Sequence, residues 1–260
     1  MHNPWQLLIR NALVFDGTGS APRQEDVAVA DGRIAARGPA LDPARAERVL
    51  DAAGQWLMPG LVDIHTHLDL ELELAPGLPE SVRHGTTTVV VGNCSLGTAF
   101  GAQRRDGEDP ILDCFTRVEN IPKSVLRKVV DRIDWTSTAG YLEHLARLPL
   151  GPNVVPLVPH SMLRIEVMGT AAAVSRRPTA AELERMRALL DAAMQQGYAG
   201  MSTDAIPFHY LANAPHTDKR VPTQYASLGE LRALLQVLRT RDRVWQCTPD
   251  AANRVATFLR

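Results

Sequence analysis

Lysine is nearly absent from this sequence: of 28 cationic residues, only Lys123, Lys128 and Lys219 are lysines. All three sit in polar runs or loops, so no strand end offers one. Cysteine is sparse as well. Cys94, Cys114 and Cys247 are odd in number and widely spaced, which gives no disulfide framework. Neither sign of charge is in excess: 28 Lys+Arg against 29 Asp+Glu leave a formal net charge of −1. That balance supplies no basic field for nucleic acid and no polybasic patch for a membrane. No apolar run approaches the ~20 residues of a membrane span. The opening MHNPWQLLIRNALVFDG lacks a charged segment followed by a long apolar one, so no signal peptide is expected. With 45% hydrophobic and 22% charged residues the composition is that of a folded globular chain. At 260 residues it fills one large domain or two smaller ones, and a soluble, cytoplasmic protein is expected.

What is present divides into two rhythms. Residues 5–58 read as short strands: QLLIRNALVFD, two alternating runs around Asp31-Gly32, and a further pair with a turn near Gly54. Asp-Gly between alternating runs is a strong hairpin signal. From residue 58 onward come nearly continuous apolar runs ending in polar residues: MPGLVDIHTH, GTTTVVVGNC, NVVPLVPHSMLRIEVMG, GYAGMSTDAI and RVWQC. Runs without alternation suit strands buried on both faces, as in parallel sheets. Amphipathic helices lie between them, with capping boxes at Thr179/Glu182 and Ser227/Glu230. Alternating strands and helices predict an α/β fold of the TIM type. Two long connections, 95–134 and 205–226, follow strand ends, where barrel active sites are built.

The leading chemical signal is His65-Thr66-His67. In extended chain alternate residues face the same side, so both imidazoles share one space and could bind Zn²⁺. An HxH pair alone is as readily two ordinary polar residues at a strand end. Cys94 closes the second apolar run, where it could face the same centre or simply be a small buried hydrophobe. Cys114, in ILDCF, reads as packing.

The surrounding residues carry a resemblance. DAAGQWLMPGLVDIHTHLD is similar to the opening signature of the amidohydrolase superfamily, and GTTTVVVGNC resembles its N-acyl-D-amino-acid deacylase (D-aminoacylase) branch. The DG-rich N-terminal strands resemble the first half of that superfamily's split β-sandwich. The resemblance implies two parts: residues 1–57 as the N-terminal part of a sandwich, and 58–260 as the first part of a metal-dependent hydrolase barrel. It also implies zinc, one or two ions, held by His65, His67 and Cys94. PHSMLRIEVMG, with His160 and Arg164, looks like the family's third-strand segment, and GYAGMSTDAIPF, with Ser202 and Asp204, like its fourth. His160 could line the pocket or be a satisfied strand-end histidine. Arg164 could bind a substrate carboxylate or make a structural ion pair. Ser202, Asp204, His209 and Tyr210 are candidate substrate-binding residues, and His216 lies in the same loop. His2, His84 and His144 read as ordinary surface or helix positions.

RVWQCTPD departs from the pattern. The family places a metal-binding histidine on this fifth strand and none is present, so Cys247 could substitute, be buried, or mark a reduced metal set. Five barrel strands are counted, followed by a helix start in PDAANRVATFLR, where closure takes eight. The resemblance places another metal histidine and the catalytic aspartate beyond Arg260. The chain therefore reads as the N-terminal portion of a protein about twice its size, truncated or completed by a partner chain, and a homo-oligomer is a further expectation. The implied activity is zinc-dependent deacylation of small N-acyl-D-amino acids. A cyclic-amide hydrolase of hydantoinase type and a non-catalytic relative are the alternatives.

Overall fold

Alternating residues from Trp5 onward build a mixed sheet from β1 (Trp5–Val14), β2 (Arg23–Ala30), β3 (Arg33–Gly38), β4 (Ala46–Asp51) and β5 (Trp56–Leu57). The strand order is β3-β2-β1-β4, with β5 also on β1. The β2–β3 hairpin turns at Asp31 and Gly32, whose φ values of 50° and 70° are the left-handed pair that a type I′ turn demands. The strands flanking Gly54 do not pair with each other. Both run parallel to β1, β4 along its first half and β5 along its end, because the turn steps the chain forward rather than reversing it. The Ala52 amide donates to Arg10 and the Leu13 amide to Gln55, which fixes that step. This sheet is one layer of a β-sandwich and belongs to the first of two units, Met1–Gly60 and Leu61–Arg260. The structure, a computed structural model, describes residues 4–250. His2 and the expected helix in 251–260 lie outside the described residues.

The second unit alternates strand and helix: β6 (Leu61–Asp63), α1 (Pro79–Arg83), β7 (Thr86–Val91), α2 (Pro110–Val118), α3 (Lys123–Val130), α4 (Thr138–Arg147), β8 (Asn153–Pro159), α5 (His160–Met168), α6 (Thr170–Ala173), α7 (Ala180–Gln196), β9 (Gly200–Asp204), α8 (Leu228–Thr240) and β10 (Val244–Thr248). The strands lie side by side in chain order, all parallel. Consecutive parallel strands with helices between them are the order of a (β/α) barrel, of which five strands stand among the described residues. Val89, Val91, Val158 and Met201 on the strands pack with Met162, Leu163, Met186, Leu190 and Leu234 on the helices, all essentially inaccessible. Burial of that kind stabilises by ~25 cal/mol per Å² of apolar surface.

Two expectations need correction. The connection 95–134 is not a bare loop but holds two helices, α2 and α3. Asp109 accepts the Leu112 amide, Pro110 opens the first turn, and Ile111, Leu112, Cys114 and Phe115 form a buried face. The segment after Pro159 is also helical, because Met162, Leu163 and Ile165 bury at helical spacing. The capping box at Thr179/Glu182 forms in full. At Ser227 only half of it forms: Ser227 accepts the Glu230 amide, but the Glu230 carboxylate is directed elsewhere. No helix among the described residues is long and apolar enough to cross a membrane.

Candidate metal centre

β6 is short and ends at Asp63, and the chain bends at His65 before running on to His67. Thr66, between His65 and His67 in the chain, is buried and donates to the Val90 carbonyl (2.6 Å). The two histidine rings lie 5.4 Å apart, edge to face. Cys94 reaches the same place from the end of β7 through an unusual turn. Gly92, Cys94 and Ser95 all have positive φ, 79°, 49° and 66°. Only glycine fits at 92, where a Cβ would stand 2.6 Å from the Leu157 carbonyl oxygen. Two consecutive non-glycine residues in left-handed backbone are costly and persist only when their surroundings hold them. Here the hold is a buried polar core. The Ser95 amide donates to Ser202 Oγ (3.0 Å), Ser95 Oγ donates to Ser161 Oγ (2.8 Å), and the Ser161 amide donates to Ser95 Oγ. Ser202 Oγ in turn donates to the Gly92 carbonyl.

The result is convergence. His65 Nε2 lies 3.1 Å from Cys94 Sγ, and one ligand atom from each of His65, His67 and Cys94 falls within 4.8 Å of the others. A tetrahedral zinc with ligand bonds of about 2.0–2.3 Å spaces its ligands about 3.5 Å apart, so two nitrogens and a sulfur here fit one ion with small side-chain adjustment. Burial, with the nearby His65 and His209, holds the His67 imidazole down to about 4, so it is neutral and able to donate a lone pair at neutral pH. Burial pushes the Cys94 thiol up to about 11. A bound cation reverses that preference, since a coordinating thiol is deprotonated. His67 Nδ1 is buried without a hydrogen bond, and Glu119 Oε1 stands 3.5 Å from it, beyond a formed bond.

The other candidates separate into three groups. Asp204 and His209 stand near this mouth. Asp204 closes β9 with its carboxylate buried, and Oδ2 accepts from His209 Nδ1 and Gln224 Nε2, both at 3.1 Å. Its register partner on β10 is Thr248, whose hydroxyl lies 3.2 Å from Cys94 Sγ. Tyr210 sits further along the loop between the Arg117 and Arg220 guanidiniums, and His216 pairs with Glu108 at 3.2 Å.

Ser202, His160 and Arg164 are spent on the interior. Ser202 is consumed by the turn at Cys94. Arg164 is fully buried on α5 and pairs through Nη1 with Glu230, while Nη2 donates to the Ala173 and Arg176 carbonyls; its one unpaired donor, Nε–H, is itself buried. His160 bonds Glu230 (3.1 Å) and Thr223 (2.9 Å) and starts a helix rather than ending a strand. Burial holds its imidazole below the ordinary range. It is a satisfied interior histidine, not a pocket residue.

Cys247 is neither at the cluster nor buried. Gln246 and Thr248 face Cys94, so the pleat turns the intervening thiol to the exposed opposite side. Sequence reasoning passed over Gln246, Thr248, Glu119 and Asp69. The period of two along RVWQCT points to the first pair. Nothing local marks Glu119, or Asp69, whose carboxyl burial pushes up to about 7.

Residues 48–233 match the amidohydrolase family. The chain belongs to that family. An uncharacterized protein of Mycobacterium tuberculosis is 44% identical to this amidohydrolase over 98% of the chain and 42% of its own length. An N-acyl-D-aspartate deacylase of Alcaligenes xylosoxydans xylosoxydans is 41% identical over 82% of the chain and 39% of its own length. Among solved structures, the N-acyl-D-glutamate deacylase of Bordetella bronchiseptica, complexed with zinc and a phosphonate mimic of the tetrahedral intermediate, superposes with a TM-score of 0.73. It is 28% identical, over 94% of this chain and 44% of that one. The chain thus spans less than half the length of the relatives it matches.

Proposed function

We propose that this amidohydrolase chain supplies the His65–His67–Cys94 part of a zinc-dependent hydrolase of linear amides, acting on N-acyl-D-amino acids. The convergence of two imidazoles and a thiol at the C-terminal mouth of the sheet carries the reading. The deacylase relatives support the substrate class. In this reading residues 1–57 are the first part of the sandwich domain and 58–260 the first part of the barrel, and further strands complete the site. The metal, when bound, supplies Lewis acidity toward an amide carbonyl and acidifies water. The protein's part is to hold three ligands in fixed geometry and to place polar groups around them. Donation of His209 Nδ1–H to Asp204 leaves Nε2 as an acceptor, able to orient water.

The test is metal analysis of the purified 260-residue chain, with assays on N-acetyl-D- and N-acetyl-L-amino acids. Assays are run alone and with a co-expressed polypeptide carrying the remaining barrel strands. Bound zinc, with hydrolysis selective for the D-series once the strands are supplied, is the expected result. A chain that binds no metal and stays inactive in both forms overturns it. That outcome would favour the non-catalytic reading, for which the placement of Gln246 and Thr248 on β10, with no imidazole, speaks.

A further inference from the structure

β10 contributes no metal ligand among the described residues, yet two of its side chains are bonded to one. The Cys94 amide donates to Gln246 Oε1 (3.2 Å), Gln246 Nε2 donates to Thr248 Oγ1 (3.3 Å), and Thr248 Oγ1 lies 3.2 Å from Cys94 Sγ. These three contacts close a ring, in which the two bonds of Gln246 have a fixed direction. Gln246 Nε2 can only donate, so Thr248 Oγ1 accepts there, and its single proton is free to point at the sulfur. In the metal-free chain either atom of the Thr248–Cys94 contact can donate, but a Cys94 sulfur that has lost its proton to a bound metal can only accept, and Thr248 then donates to it. The same ring holds the Cys94 amide, so it grips both the backbone and the thiol of a residue in left-handed backbone.

We propose that Gln246 and Thr248 are positioning residues for the Cys94 thiolate: a clasp from the fifth strand that fixes the sulfur's orientation and donates one hydrogen bond to it in the metal-loaded centre. The proposal rests on the metal-centre reading above. Outer partners of this kind orient a ligand and tune its donor strength, and their loss costs roughly 10–100-fold in metal affinity. The clasp also gives β10 a function at the centre: the strand adds the alignment of a ligand from β7. The residue between the two, Cys247, faces away and takes no part.

The experiment is titration of the purified 260-residue chain with Co²⁺, read by competition with a chelating dye and by the near-ultraviolet thiolate-to-cobalt charge-transfer band. Thr248→Val keeps the shape and removes the donated proton. It should weaken Co²⁺ binding by roughly 10–100-fold and shift the charge-transfer band to lower energy, because a sulfur relieved of a hydrogen bond gives up its electrons more easily. Thr248→Ser, which keeps the hydroxyl, should restore the wild-type band and affinity. Gln246→Met should weaken binding in the same direction, and Cys247→Ala should leave the spectrum unchanged. Far-ultraviolet circular dichroism of each variant shows whether it is folded, and the band position reads the sulfur's hydrogen bond in the folded fraction alone. A wild-type chain that binds Co²⁺ with a Thr248→Val variant of equal affinity and identical band overturns the clasp and leaves the metal-centre reading standing. A wild-type chain that takes up no Co²⁺ overturns both.

Discussion

At the scale of single residues the three cysteines have three different surroundings, and those surroundings set their fates. Cys94 is buried beside His65 in strained backbone, Cys114 is buried in an apolar helix face, and Cys247 is exposed. Cys94→Ala should abolish most metal uptake by the 260-residue chain. Cys114→Ala should leave uptake intact while lowering stability by about 1 kcal/mol, the loss of a small buried side chain. Metal content and thermal melting of the two variants, measured side by side, check this. Equal loss of metal from both would mean the thiol ligand is misassigned. The HxH pair and Cys94 were legible in the sequence because a strand end and a period of two are local signals. The partners of Cys94 were not. Ser161 and Ser202 reach its turn from two other elements, α5 and β9, and such meetings come from tertiary packing that local patterning does not encode.

At the scale of elements, a buried ion cluster ties α5 to α8. Glu230 accepts from His160 and Arg164, all three essentially inaccessible, and His160 also holds Thr223 in the connection after β9. Burial pushes the Glu230 carboxyl up, but hydrogen bonds and charge from His160 and Arg164 outweigh it and hold the group below its usual range. Glu230→Gln should destabilise by about 3–5 kcal/mol, because Arg164 would remain buried without a counter-charge. The cluster also gives a pH dependence of defined sign. The His160 imidazole is depressed in the folded state, so below about pH 6.5 the unfolded chain takes up the proton first and stability falls with acid. His160→Gln should lack that increment of lost stability between pH 7 and pH 5 in urea melts at stepped pH. An unchanged slope would assign the pH dependence to other groups. Sequence reasoning placed Glu230 in a capping box and Arg164 on a strand. The Ser227 half of that cap forms, and Arg164 lies on a helix; local patterning tells which face is buried but not what charge waits beneath it.

β9 and β10 show how an element sets the site. A Cβ at Gly200 would stand 1.9 Å from the Val244 carbonyl oxygen, so the two strands pair closely only because glycine is there. Gly200→Ala should lower the melting temperature, splay β10 away from β9 and carry Gln246 and Thr248 off Cys94. Co²⁺ affinity should therefore fall in this variant although no residue of the centre has changed. A stable Gly200→Ala chain with wild-type affinity would show that β10 does not need its register to serve the centre.

At the scale of the whole molecule the decisive quantity is the sheet's two outer strands. Among the described residues of the second unit β6 and β10 have neighbours on one side only, and Leu61, Val62 and Ile64 are 56%, 58% and 71% exposed, with Val244 at 58%. Unpaired amides and carbonyls beside apolar side chains are a template for another chain. The relatives matched here carry more than half their length beyond the aligned part. The strand count was legible from repeated apolar runs, and with it the prediction that these edges lack partners. A polypeptide of these 260 residues alone should therefore associate, with apparent size rising with concentration in gel filtration, and should not hydrolyse N-acetyl-D-amino acids. Association and inactivity would have separate causes: the first in edge strands and exposed apolar area, the second, on the proposed reading, in a centre that these residues furnish with three ligands only. Charged substitutions on the edge, such as Val62→Lys and Val244→Lys, should reduce association without creating activity. A dilute, monodisperse monomer that hydrolyses an N-acetyl-D-amino acid would show that five strands and three ligands suffice, and would overturn both halves of the argument.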